Sequence, residues 1–191
     1  MDKEGLLKTI AEKAYDVGFG AKKTFATYDI VEKGPGWVGF LSFVVGLFGF
    51  IFESLAAKVP SAILLSAGVA SLYISFYRSC DYEETGIKLT QIFNRLRDLY
   101  RTVQAGGNLD SAHAEFSAIE NEYYAISVSK QIFLSDWYAH YKFFAQTQAS
   151  WIDEELHFRL WKDKIPLSAK VVLILTIIGL LGFGSCLSLK H

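Results

Sequence analysis

The sequence predicts an all-α membrane protein: a transmembrane helical hairpin plus a third C-terminal apolar helix, with an N-terminal amphipathic helix and a helical cytoplasmic lobe. Three observations carry that prediction. Residues 34–52, 59–77 and 171–189 are each a run of 19 residues without a charge, and at 1.5 Å of rise per residue such a run covers roughly 28 Å, close to the ~30 Å hydrocarbon thickness of a bilayer. Only the six residues 53–58 separate the first two runs, which makes them a hairpin. Outside the runs, apolar residues recur at spacings of three and four, and no strand-like alternation competes with them. The chain divides accordingly into 1–33, 34–77, 78–164 and 165–191.

Over residues 4–30, Leu7, Ile10, Ala14, Val17, Ala21, Phe25 and Tyr28 share one helical face, and Asp2 is placed to cap the start. Gly18 and Gly20 weaken the middle of this helix, where a bend or break is expected. Gly34-Pro35-Gly36 then punctuates the chain, and Trp37 suits the headgroup layer, so the first span is expected to start there. Pro60 fits an early position of the second span. Lys22, Lys23 and Lys33 precede the hairpin and Arg78, Lys88, Arg95, Arg97 and Arg101 follow it, whereas the connector holds Lys58 alone. By the positive-inside rule the N-terminus and residues 78–164 are expected in the cytoplasm.

Within the lobe, Ile92, Leu96, Leu99 and Val103, flanked by Phe93 and Tyr100, form a stripe that leaves Arg95, Arg97, Asp98 and Arg101 off it, and Gly106-Gly107-Asn108 ends that helix. Asp110 is expected to cap a second helix through Phe116, Ile119, Tyr123 and Ile126; Ser135-Asp136 opens a third running towards Lys164. This last segment carries Trp137, Tyr138, Tyr141, Phe143, Phe144, Trp151, Phe158 and Trp161 on more than one face. A lobe of this size cannot bury them all, so Trp137, Tyr138, Tyr141, Phe144, Trp151 and Trp161 are candidates for contact with the N-terminal helix, a second subunit, a partner or the membrane surface. Trp161, Lys162 and Lys164 before Pro166 suit an anchor for the third run, which would place the C-terminus outside.

Several classes of chemistry fall away. A net charge of −1 recommends no nucleic acid as partner. Cys80 and Cys186, far apart and without a Cys-x-x-Cys pattern, read as plain thiols. The first 33 residues, with six lysines and several acids, do not read as a cleaved secretory signal. Glu154-x-x-His157 has the spacing of half a di-iron site, but neither His113 nor His140 has a glutamate three positions before it, so these acids read as a solvated helix face and no metal, cofactor or catalytic set is expected. No nucleophile-elbow, P-loop or dinucleotide fingerprint is present.

Two further sets bear on function. Gly39, Ser42, Gly46, Gly49 and Glu53, spaced by three and four, place small residues and a carboxylate on one helical face of the first span; Ala67, Ser71 and Ser75 give the second span a small face. Such faces permit close helix association, either within the hairpin or between copies around a pore with Glu53 at its outer mouth. No charge lies within a span, which disfavours a proton-coupled transporter. Arg95, Arg97 and Arg101 lie close on one helix as candidate phosphate contacts, although Asp98 among them favours a solvated, ion-paired face.

The order of amphipathic helix, tight hairpin and helical lobe, together with AKKTFATYDIVEK at 21–33 leading into Pro35-Gly36-Trp37, GIKLTQIFN at 86–94, SDWYAHYKFF at 135–144 and DKIPLS at 163–168, resembles the SLATT family. These are two-transmembrane effector domains associated with SMODS nucleotidyltransferase and SLOG proteins in bacterial conflict systems. The resemblance implies a homo-oligomeric effector of the bacterial inner membrane, triggered by a nucleotide second messenger or a signalling-enzyme partner, that permeabilises the membrane during infection. The third apolar run departs from the two-span pattern. A non-conducting scaffold presenting the aromatic lobe to a soluble partner is the alternative reading.

Overall fold

The longest element is α1, Lys3–Gly49, a single helix of 47 residues that extends about 70 Å. It is followed in the computed structural model by α2 (Lys58–Ser75), α3 (Tyr82–Gln104), α4 (Leu109–Ala125), α5 (Ser135–Gln146), α6 (Ser150–Leu156) and α7 (Leu167–Ser188). The structure describes residues 2–77, 81–126 and 130–188, with side chains to Ile178. Arg78, Cys80 and the end of the third run at Leu189 lie outside the described residues, as does the Cys186 side chain. All secondary structure among the described residues is helical.

The first thirty residues of α1 form the spine of the lobe. Asp2 caps the helix, its Oδ1 accepting from the Gly5 N–H at 3.0 Å. Leu6, Leu7, Ile10, Ala14, Val17 and Ala21 are buried against Leu89, Ile92, Phe93, Leu96, Tyr100 and Val103 of α3. Phe25 and Tyr28, at the end of the expected stripe, are only half-buried. No break occurs near Gly18 and Gly20; Gly18 is packed closely, since a Cβ there would lie 2.8 Å from the Phe93 ring and 3.0 Å from Phe143.

The helix read over residues 4–30 does not end before Gly34-Pro35-Gly36. Pro35 lies inside α1 and the helix runs through it. Proline forfeits one intrahelical hydrogen bond and crowds the preceding turn, a cost of about 3 kcal/mol; the helical turns on either side, anchored in the lobe and long and apolar beyond it, outweigh that local penalty.

α3 turns into α4 at Gly106, whose φ of 91° lies in the left-handed region that glycine enters without a Cβ clash. The cap of α4 is Asn108 and not Asp110: the Asn108 Oδ1 accepts from the N–H groups of Asp110 at 2.9 Å and Ser111 at 3.1 Å. Asn108→Ala is expected to cost about 1 kcal/mol, read as a lower midpoint in thermal unfolding and faster amide exchange at the start of α4.

The helix expected from Ser135 towards Lys164 is also corrected. It ends at Gln146, and α6 follows as a separate helix. The chain straightens at Thr147 (φ −95°, ψ 136°) so that α6 folds back over the core. Trp151 then reaches Tyr100, with ring centroids 4.9 Å apart, and Phe93 at 6.0 Å. His157 in the left-handed region closes α6, donating its N–H to the Asp153 carbonyl at 2.8 Å. One straight helix would carry Trp151 and Ile152 past the core they fill.

Candidate membrane hairpin and its coupling to the lobe

Beyond Gly36, α1 leaves the lobe and packs against α2. Half-buried positions of α1 include Val38, Ser42, Val45 and Gly49; those of α2 include Leu64, Ala67, Ser71 and Ile74. These spacings of three and four put each set on a single stripe, and the two stripes face each other. The Ser71 Oγ in this seam is buried and has no hydrogen-bond partner. Ser75 turns to solvent, its hydroxyl donating back to the Ser71 carbonyl at 3.1 Å.

The small-residue face of the first span is therefore divided by the structure. Ser42 and Gly49 look into the hairpin, while Gly39 and Gly46 are exposed, and a Cβ added at either of these two would meet nothing within 4 Å. Glu53 is exposed in the connector at the hairpin tip.

The remaining surface of the hairpin is apolar and uncovered. Phe43 is 68% exposed, Leu65 73%, Leu72 68% and Phe76 76%. A soluble protein does not leave two such helices in water. The 18-residue apolar windows of α1 and α2 are 6% and 0% buried, the reverse of a core helix. Length, composition and this exposure make both helices candidate membrane spans. In α7, every described residue from Val171 to Ile178 is also exposed, and the helix is tethered at its start by the Trp137 Nε1–H donating to the Ser168 Oγ at 2.7 Å.

The aromatics of α5 and α6 separate into two groups. Phe143, Phe144 and Phe158 close over Tyr15 and Phe19 of α1, with Tyr15 5.4 Å from Phe143 edge-on and 5.1 Å from Phe158. Phe144 and Trp151 are thus half-buried core residues. Trp137, Tyr138, Tyr141 and Trp161 remain exposed.

The three arginines have three different environments. Arg95 pairs with Glu122 and ties α3 to α4. Arg101 is exposed in the last turn of α3, where its charge opposes the helix dipole. Arg97 lies half-buried beside a cleft between α1, α3 and the α5–α6 connection. The sequence reading missed Lys22, Asn94 and Gln148, which line the same cleft, because the helices that bring them together are far apart in the chain.

The chain also passes from hairpin to lobe at the step from Tyr77 into Arg78, where the described residues stop. The coupling that the structure describes is α1 itself. Its last turns inside the lobe are held by Asp29, which receives both Lys33 and Lys142, by Lys23 on Asp136 at 2.8 Å, and by Thr27, whose hydroxyl donates to the Gln131 Oε1 at 2.6 Å. Burial alone would raise the Asp29 carboxyl; hydrogen bonds and charge from Lys142 and Lys33 outweigh it and hold the group below the usual carboxylate range.

A family model described as SMODS and SLOG-associating 2TM effector domain 6 matches residues 1–173. The chain belongs to this SLATT family. The match takes in α1, the hairpin, the whole lobe and the first residues of α7, so both candidate spans, in α1 and α2, lie within it. No curated protein and no solved structure matches the chain.

Proposed function

We propose that this SLATT protein is the membrane effector of a bacterial anti-phage system, lodged in the inner membrane with its N-terminus and lobe in the cytoplasm, and that copies assemble through the hairpin into a pore that opens when the lobe receives a nucleotide signal or a partner. The observation that carries this reading is the continuity of α1: one helix is both the spine of the lobe and a wall of the hairpin. A displacement of the lobe's grip on residues 3–31 is delivered to the span without an intervening flexible joint, the form of coupling in which a packed helix shifts as a unit. The exposed Gly39 and Gly46 give a second copy a place for close backbone approach, as small residues do where lipid removes the usual apolar drive.

The test is membrane potential, read by a voltage-sensitive dye in bacteria making the protein alone and then with a cyclic-oligonucleotide synthase or phage challenge. Depolarisation ahead of loss of viability is expected. Gly46→Leu should abolish it while expression and insertion persist, since a leucine at each intersubunit contact overpacks it by about 1–3 kcal/mol and the cost repeats around the ring. Unchanged leakage from correctly inserted Gly46→Leu protein counts against the hairpin as pore wall. The exposed Trp137, Tyr138 and Tyr141 favour a second reading, a non-conducting scaffold for a soluble partner; that protein would leave the potential steady under every condition.

A further inference from the structure

The cleft beside Arg97 has the chemistry of a ligand site and is independent of whether the hairpin conducts. It encloses about 300 Å³ between α1, α3 and the α5–α6 connection. Gly18 and Phe93 form its apolar floor; Lys22, Arg97, Asn94 and Gln148 supply its polar groups. Two cations line it, and no carboxylate does.

The charge balance of Lys22 is the decisive feature. Among the described residues, the half-buried Lys13, Lys23, Lys142 and Lys164 each meet a carboxylate, and Lys170 meets a backbone carbonyl. Lys22 is half-buried and has neither. Burial, then the neighbouring Lys142 charge, push its ammonium below the usual lysine range. Arg97 is equally under-used: its Nε is buried with no hydrogen bond, and its closest carboxylate oxygen, on the solvent-facing Asp98, is 3.7 Å away. A partly desolvated lysine without a counter-charge, beside an arginine whose carboxylate contact is the long 3.7 Å one to Asp98, is costly, and an anion between them lowers that cost.

We propose that this cleft binds a small phosphate monoester. A guanidinium fork beside a lysine point charge is the pairing that recognises phosphate oxygens, and the Asn94 and Gln148 amides offer donors and acceptors to the rest of the ligand. A volume of about 300 Å³ sits at the lower end of the small-molecule range, which admits one mononucleotide or sugar phosphate. A lipid headgroup is not the source: fourteen helical rises of 1.5 Å, about 21 Å, separate Lys22 from Gly36 at the start of the exposed apolar part of α1.

The test uses the full chain in detergent, with thermal unfolding and titration calorimetry against inorganic phosphate, adenosine monophosphate and glucose 6-phosphate at matched ionic strength. At least one probe should stabilise the protein, and Lys22→Gln and Arg97→Gln should each weaken its binding about tenfold or more, the effect of about 1.4 kcal/mol. Arg95→Gln, outside the cleft, should bind as wild type. Tighter binding of adenosine monophosphate assigns a nucleotide, tighter binding of glucose 6-phosphate a sugar phosphate, and equal binding of all three a bare phosphate group. Without ligand, Lys22→Gln should melt at or above the wild-type temperature, because it deletes an unpaired charge. The proposal is overturned if no probe stabilises the protein, if the two cleft variants bind unchanged, or if ligand-free Lys22→Gln melts clearly lower. None of these readouts involves conductance, so they stand or fall separately from the pore.

Discussion

Gly18→Val is expected to loosen the packing of α1 in the lobe. The first carbon added at Gly18 would sit 2.8 Å from both the Cδ2 and Cε2 atoms of Phe93 and 3.0 Å from the Cε2 of Phe143. Phe143, fully buried between Tyr15 and Phe144, has no room to retreat, and Phe93, 8% exposed and backed by Trp151, can yield only towards the cleft it lines. Overpacking a filled core costs about 1–3 kcal/mol, and the two branches of valine place this substitution at the top of that range. For a chain of this size that is a fall of roughly 6–10 °C in the unfolding midpoint. Gly20→Val is the control, since a Cβ there meets only the Leu89 Cδ1 at 4.0 Å. Exposing glycine-sized space twice on one helix, with opposite outcomes two residues apart, distinguishes a packing requirement from the general weakness of glycine in helices. Phe93→Leu combined with Gly18→Val should recover part of the loss. If the two glycine variants melt together, the close approach of α3 to α1 at this point is refuted.

How far the sequence disclosed this architecture depends on whether each signal was local or long-range. The α3 stripe of Ile92, Leu96, Leu99 and Val103 is buried as its spacing requires, because a period of 3.6 over six turns leaves few alternatives. The two helices of the hairpin were legible for the same reason: 19 uncharged residues, a six-residue connector and another 19 give two runs each long enough to cross a bilayer. That α1 runs unbroken through Gly34-Pro35-Gly36 was hidden because local punctuation describes a preference of about 3 kcal/mol, and thirty packed residues on one side with a long apolar run on the other exceed it. The division of α5 from α6 was hidden for a related reason. Both read as helix, and only the need to bring Trp151 and Ile152 back onto Tyr100 and Phe93 bends the chain at Thr147. Among the candidate phosphate contacts the sequence offered three arginines on one helix; the partner that distinguishes Arg97 from the other two is Lys22, on another helix altogether. Which face of the first span meets α2 was equally undetermined, since Gly39 and Ser42 differ by a rotation that only the partner helix fixes.

Asp29→Ala is expected to be the most damaging change among the polar residues. Asp29 and Lys142 are 16% and 14% exposed at their side chains, so the pair that joins α1 to α5 is largely out of water. Deleting the carboxylate strands the Lys142 ammonium beside Lys22, whose charge already disfavours it. Breaking a fully buried pair costs about 3–5 kcal/mol, and the residual solvent here lowers the expectation to about 2–4 kcal/mol. Lys142→Met should cost less than Asp29→Ala, because Asp29 then keeps Lys33 as its partner; Asp29→Leu with Lys142→Met should recover most of the stability, as an apolar replacement of a buried pair commonly does. The pH dependence has a definite sign. The Asp29 carboxyl is held below its ordinary value in the folded chain, so its stabilising contribution is complete above the unfolded value near pH 4 and is lost as pH falls through the lower folded value. Wild-type thermal midpoints measured from pH 7 downward should therefore hold until about pH 4 and then drop, and Asp29→Ala should lack the part of that drop that belongs to this group. Because α5 grips α1 at this pair, just before α1 leaves the lobe, the same variant separates two properties of the effector. Under the proposed coupling, Asp29→Ala protein that still inserts should depolarise membranes without regard to the trigger; wild-type responsiveness in that variant would place the grip of the lobe on the hairpin elsewhere along α1.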